Sequence, residues 1–276
     1  RMFNNLLALG IDLGTSGLRI AIINNQRQIL YTSSRPYSKG LEIWEDWINC
    51  LKYLIQNIPN NLKEKLASCS IAGTSGTLLA CHNNGDPIGK ALPYFLSFPE
   101  YSKDISKLFD KECSGSSTSG SIARAFKLLN LYGDQILLRH QADWFSGWLI
   151  NNWDYGEEGN NIRMGWEISK SSWPATFIKL KWLKCLPKII SSGQIMGNIC
   201  THKAKELNLP KSLKIIAGTT DSNAGVLATS AKKNDGITIL GSTIVVKKFI
   251  DKPIFYSGVS NHKLFDNWLC GGASNA

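Results

Sequence analysis

Residues 6–23, LLALGIDLGTSGLRIAII, are two apolar runs on either side of a glycine-rich turn, with one carboxylate just before it. Residues 6–11 read as a buried strand closed by Asp12, Gly14-Thr15-Ser16-Gly17 as the turn, and residues 18–23 as the returning strand. Such a turn offers backbone N–H groups and hydroxyls to an anion, because glycine lets the backbone come close. An aspartate beside it suits Mg2+, which takes oxygen ligands and keeps several waters. The stretch alone supports two readings equally: a metal–phosphate hairpin, or a plain hairpin whose Asp12 caps its own turn.

The rest of the chain bounds the choice. With 276 residues, 43% hydrophobic and 19% charged, the composition is globular and fills one large domain or two smaller ones. No apolar run approaches the ~18 residues of a membrane helix and no signal peptide is expected, which argues against a membrane partner. Seven cysteines are scattered without a CxxC pair, the pattern of reduced thiols in a cytoplasmic protein. The net charge of +10 is spread over lysines in 63–65, 179–188, 203–214 and 232–233. Dispersed charge of this kind reads as solvated faces, so no nucleic-acid partner is expected, and a basic surface suits small polyanions such as nucleotides. The four histidines are isolated and lack metal-ligand spacing, which argues against zinc.

The periodicity predicts a third strand at 28–34, a helix from Trp44 to about residue 58, strands at 70–72 and 77–81 around a Gly73–Gly76 turn, and a hairpin turn at Asn83-Asn84-Gly85-Asp86. Residues 100–212 are expected to be mostly helical: one helix over 122–138, another over 141–150, a loop over 154–161, a third helix over 174–183 and a short one over 203–207. The order of elements is α/β with a mixed sheet flanked by helices.

Near the end the opening pattern returns. Residues 213–217 read as a strand, 218–222 as a turn and 223–231 as a small-residue helix; Leu240-Gly241-Ser242-Thr243 then stands between apolar runs as Leu13-Gly14-Thr15-Ser16 does. Two such hairpins suggest two related halves facing a shared ligand, a plan similar to that of the actin-like ATPases and sugar kinases, with their ribonuclease H-like fold.

Four segments in order make the likeness specific. Gly10–Ser16, the Trp44-Glu45-Asp46-Trp47 helix start, Asp143-Trp144 with Asp154-Tyr155, and Ala217-Gly218-Thr219-Thr220-Asp221-Ser222 followed by residues 239–243 resemble the FGGY carbohydrate kinases. Within that family the chain is most similar to the small cyanobacterial and plant xylulose-kinase-like proteins regarded as D-ribulose kinases, which share G-T-S-G-x-R, G-T-S-G-T, A-D-W, A-G-T-T-D-S and G-G-A-S-N. A glycerol kinase would show Arg-Glu after residue 71 and a xylulose kinase Met-His; Ser75-Gly76-Thr77 stands there instead.

The resemblance implies an ATP-dependent kinase of a ketopentose, D-ribulose first, with a sugar and ATP as small-molecule partners and Mg2+ as cofactor. Asp221 would be the catalytic base, placed to take a hydroxyl proton, although a helix cap is the plain alternative. Asp12 would hold the metal. Gly14, Thr15 and Ser16 would contact phosphate from one side and Gly241, Ser242 and Thr243 from the other. Asp12, Ser16, Gly17, Arg19, Ser75, Asp221 and Ser222 would bind the acceptor. Residues 1–212 would form the sugar-binding domain and 213–276 the start of an ATP-binding domain, cut short of its adenosine pocket and so inactive alone. The rival classes are a xylulokinase-like kinase of another sugar or polyol and a non-catalytic, regulatory actin-like ATPase.

Overall fold

The structure, a computed structural model, describes residues 6–25, 28–109 and 114–218 and, as backbone, 236–239, 243–250, 259–264 and 267–275. The strands are β1 (Leu7–Leu13), β2 (Gly17–Ile23), β3 (Ile29–Pro36), β4 (Leu66–Gly73), β5 (Leu78–Cys81), β6 (Pro87–Leu92), β7 (Leu137–His140), β8 (Tyr155–Glu157), β9 (Lys188–Ile190), β10 (Ile195–Asn198), β11 (Lys214–Ile216), β12 (Gly236–Ile239), β13 (Thr243–Ile250), β14 (Val259–Leu264) and β15 (Asn267–Asn275). The helices are α1 (Trp44–Gln56), α2 (Asn60–Lys63), α3 (Ser102–Ser106), α4 (Ser121–Tyr132), α5 (Gln141–Ile150), α6 (Glu158–Asn161) and α7 (Thr201–Leu207).

The main sheet has six strands in the order β10-β11-β4-β1-β2-β3. It is mixed as expected: β1 and β11 run parallel to β4, and the β1–β2–β3 meander is antiparallel. Leu7, Leu9, Ile11 and Leu13 are buried in alternation on β1, matched by Leu18, Ile20 and Ile22 on β2, so one face of this meander carries the core. The amphipathic α1 covers it with Trp47, Leu51, Leu54 and Ile55. Trp144 of α5 meets Trp44 and Trp47 edge-on in the same core and donates its indole N–H to the Gly85 carbonyl at 2.8 Å. It is a core residue and not part of an open site.

Sequence and structure part in four places. The strands at 66–73 and 78–81 do not pair; β5 joins a separate sheet ordered β6-β5-β7. The helix expected over 122–138 stops at Tyr132, where Gly133 takes φ +76°, and residues 137–140 become β7. The loop expected over 154–161 is β8 and α6, because the Glu157 carboxylate accepts the Gly159 and Asn160 N–H groups and caps a helical turn. The helix expected over 174–183 is reduced to short 3-10 turns at Ala175–Lys179 and Leu183–Cys185. Residues 271–275 continue β15, paired with β13 as far as Thr243.

The proposed division at 212/213 falls ahead of β11, whose pairing with β4 places it in the six-stranded sheet. The strand β5 is buried on both faces: Leu79 and Cys81 belong to the core under the main sheet, Leu78 and Ala80 to a second core built with α4, Phe109, Phe177 and Trp182.

Candidate functional site

The parallel register of β1 and β4 sets Leu13 opposite Gly73, so the two glycine-rich turns leave the sheet side by side. In the first, the Gly14 N–H donates to the Gly17 carbonyl at 2.9 Å, and Thr15 and Ser16 form the exposed tip. The Gly14 N–H is therefore spent inside the hairpin, and a phosphate would meet the tip residues. Gly17 is required here: a Cβ on it would lie 2.5 Å from the Arg35 carbonyl oxygen and 2.8 Å from Pro36 Cα. Tyr37 clamps the same turn, its hydroxyl donating to the Gly14 carbonyl at 3.0 Å and its N–H to the Ser16 carbonyl at 2.9 Å.

Asp12 does not close the strand but sits inside β1, opposite Arg19 of β2. The Arg19 guanidinium donates to Asp12 Oδ2 at 2.7 Å. Asp12 Oδ1 is buried and has no hydrogen-bond partner. An unpartnered carboxylate oxygen beside a hydroxyl-bearing turn fits a hard cation that otherwise keeps its waters, so Asp12 fits Mg2+. Among the described residues no group of three or more His, Cys, Asp or Glu could hold a metal. Arg19, expected in an acceptor pocket, is mostly exposed and turned to Asp12.

Ser75 is half-buried between Thr74 and Gly76 in the second turn. Thr74 is fixed by Gln141, whose Oε1 accepts both the Thr74 N–H (3.1 Å) and hydroxyl (2.8 Å), and Thr74 and Thr77 hydroxyls are 2.6 Å apart. The Tyr94 N–H donates to Thr77 Oγ1 at 3.2 Å, and its phenol lies 3.3 Å from Thr15 Oγ1, so Tyr94 joins the two turns. Asp221, Ser222, Gly241 and Ser242 lie outside the described residues. Thr243 opens β13, the second strand of an antiparallel hairpin with β12.

Behind the second turn lies a polar network that the sequence reading missed. Asp143 accepts the Glu157 N–H and the Asn161 amide, each at 2.9 Å. Ser121 and His140 Nε2 are 2.8 Å apart. Burial pushes the Asp143 carboxyl up to about 7, against the hydrogen bonds and Arg139, which pull it down. Burial likewise pushes Glu157 well up, and burial with Arg124 nearby takes His140 down to about 3. The Oδ1 atoms of Asn160 and Asn161 and Gln141 Nε2 are buried without a hydrogen-bond partner, and His140 Nδ1 stands 4.0 Å from Asp143 Oδ2. Such atoms can receive a hydroxylated ligand, and the Glu-Glu-Gly-Asn-Asn run at 157–161 was the signal for the two asparagines.

No family profile matches the chain. It is 23% identical over 279 residues, 91% of its length, to the xylulose kinase of Lactococcus lactis subsp. lactis (strain IL1403). Its structure superposes on xylulose kinase from Rhodospirillum rubrum with a TM-score of 0.86 over 98% of this chain and 61% of that one, at 13% identity. The fold is that of the xylulose kinases. Ligand-bound xylulose kinase from Lactobacillus acidophilus gives a TM-score of 0.83 over 97% of this chain and 59% of that one, at 14% identity. The likeness is one of fold, and it agrees with the mixed, helix-flanked sheet expected for the chain. The chain spans about half the length of the curated relatives it matches. Among the described residues no helix is long and apolar enough to cross a membrane.

Proposed function

We propose that this chain carries the acceptor side and first phosphate hairpin of an ATP-dependent sugar kinase acting on a ketopentose, D-ribulose first among them. The observation that supports it is Asp12, with one carboxylate oxygen buried and unpartnered, held beside two hydroxyl-bearing turns at the ends of neighbouring parallel strands. In this reading residues 1–212 bind the sugar and 213–276 begin the ATP-binding half, with β11 running back into the first sheet. Asp12, Ser16, Gly17, Arg19, Ser75, Asp221 and Ser222 would stand around the acceptor, and Gly14, Thr15, Ser16, Gly241, Ser242 and Thr243 around the phosphates. The setting is the cytoplasm, in keeping with five free described cysteines; nucleic acid and membrane are not partners.

The chemistry follows from these groups. Asp221 accepts the proton of the attacking sugar hydroxyl. The turns hold the γ-phosphoryl group in line with that hydroxyl, where positioning supplies most of the rate. Mg2+, held through Asp12, would neutralise charge on the phosphates. The buried amide oxygens of Asn160 and Asn161 accept sugar hydroxyls.

The relatives named xylulose kinase favour a second reading, a kinase of another sugar or polyol. ADP release by the full-length protein with D-ribulose, D-xylulose and glycerol separates the readings. Turnover only with D-ribulose supports the first, and preference for another acceptor supports the second. Equal ADP release without any sugar overturns both in favour of an actin-like ATPase.

A further inference from the structure

Arg124 is fully buried at the sixth position from the start of the Ser119-Gly120 entry to α4, and its guanidinium faces backbone rather than acid. Its Nε donates to the Gly76 carbonyl at 2.7 Å. Its Nη1 lies 3.0 Å from the Tyr94 carbonyl, 2.9 Å from that of Leu96 and 2.9 Å from that of Ser119. One side chain thus gathers the second turn, the 94–96 segment and the entry to α4. Gly76 takes φ +95°, and a Cβ on it would stand 2.7 Å from Arg124 Nη2 and 3.3 Å from Arg163 Cδ, so the turn is moulded onto the two arginines. A buried guanidinium needs hydrogen bonds to offset its burial, here made by Nε and Nη1 while Nη2 is without one, and arginine's planar fork spans separated carbonyls that a lysine ammonium, a single point, does not reach together.

We propose that Arg124 is the positioning residue that sets Ser75 and Gly76 against the first phosphate turn. The linkage runs from Arg124 to the Tyr94 carbonyl, then from Tyr94 N–H to Thr77 and from the Tyr94 phenol to Thr15. Arg124 touches neither substrate nor phosphate in this scheme; it fixes the spacing between the residues that do. The inference rests on the sugar-kinase reading above.

The test uses the full-length protein with Arg124→Lys, Tyr94→Phe and, as a control for lost stability, Leu128→Ala in the core face of α4. Calorimetric titration with D-ribulose and D-xylulose gives affinity and stoichiometry. Partial unfolding lowers the number of sites but leaves the ratio of the two affinities alone. Displacement of the turn changes that ratio. Arg124→Lys should weaken D-ribulose binding about tenfold and shift the ratio, Tyr94→Phe about threefold with an unchanged melting temperature, and Leu128→Ala should change neither affinity. If Arg124→Lys does not fold, Tyr94→Phe decides alone. Wild-type protein that binds neither sugar overturns the sugar-kinase reading and this inference with it. Wild-type binding with both affinities and their ratio unchanged in the foldable variants overturns the positioning role alone.

Discussion

Arg19 reaches across the first hairpin and occupies Asp12 Oδ2 at 2.7 Å, leaving Oδ1 buried and unpartnered. One oxygen of the candidate metal ligand is therefore held by a cation while the other is open. Arg19 is mostly exposed, so its loss should change folding stability by less than about 1 kcal/mol. Arg19→Met should lower the Mg2+ concentration that gives half-maximal rate, because a competing cation is removed. A higher Mg2+ requirement in that variant would instead make Arg19 the group that holds the carboxylate in place for metal.

Asp221→Ala in the full-length protein should reduce turnover by about 10²–10⁴-fold with the KM for ATP unchanged, the pattern of a lost proton acceptor. Steady-state ADP release with saturating D-ribulose measures it. Wild-type turnover in Asp221→Ala would remove that residue from the mechanism.

Gly17→Ala should destabilise the protein by about 1–3 kcal/mol, because the added methyl meets the Arg35 and Pro36 backbone and neither can swing aside. Gly10→Ala is the internal control: a Cβ there lies 3.9 Å from the Ala21 oxygen, an ordinary contact. Urea midpoints should fall for the first variant and hold for the second. Equal midpoints would mean that β3 can withdraw from the turn.

Buried carboxyls predict an unusual pH dependence. The Asp143 carboxyl titrates near 7 when folded and 3.8 ordinarily, so as pH rises through this interval the unfolded chain has lost a proton that the native state keeps, and stability falls. His140 acts oppositely: at about 3 when folded against 6.5 ordinarily, it adds stability as pH rises over that range. The two oppose each other until the unfolded imidazole has lost its proton, about one unit above 6.5, and the likewise raised Glu157 acts with Asp143. Chemical denaturation should show a loss on the order of 1 kcal/mol between pH 6.5 and 8, and a smaller one in Asp143→Asn. The same loss in both proteins would clear Asp143.

What the sequence made legible was what repeats with a period or a short motif. The alternation of Leu7, Leu9, Ile11 and Leu13 gave β1, and the spacing of Trp47, Leu51 and Leu54 gave α1. The pairing of Asp12 with Arg19 was not legible, because it depends on the hairpin's register and not on either residue's neighbours. The polar network was hidden for a related reason. Gln141 meets Thr74 across 67 positions of chain, and nothing local marks a glutamine as a partner for a distant turn. The run at 157–161 looked like a loop because its glycine and asparagines favour turns, until the Glu157 cap is counted. Leu137 and Leu138 continued the helical period of α4, and only Gly133 betrayed the break.

The alternation on β5 has a further consequence. Its four residues point in turn into one core and then the other, so neither apolar assembly can melt while keeping this wall intact. The described region should therefore absorb heat in a single unfolding transition, with equal calorimetric and van't Hoff enthalpies. The two masses of side chains behave as one cooperative unit through a strand of only four residues.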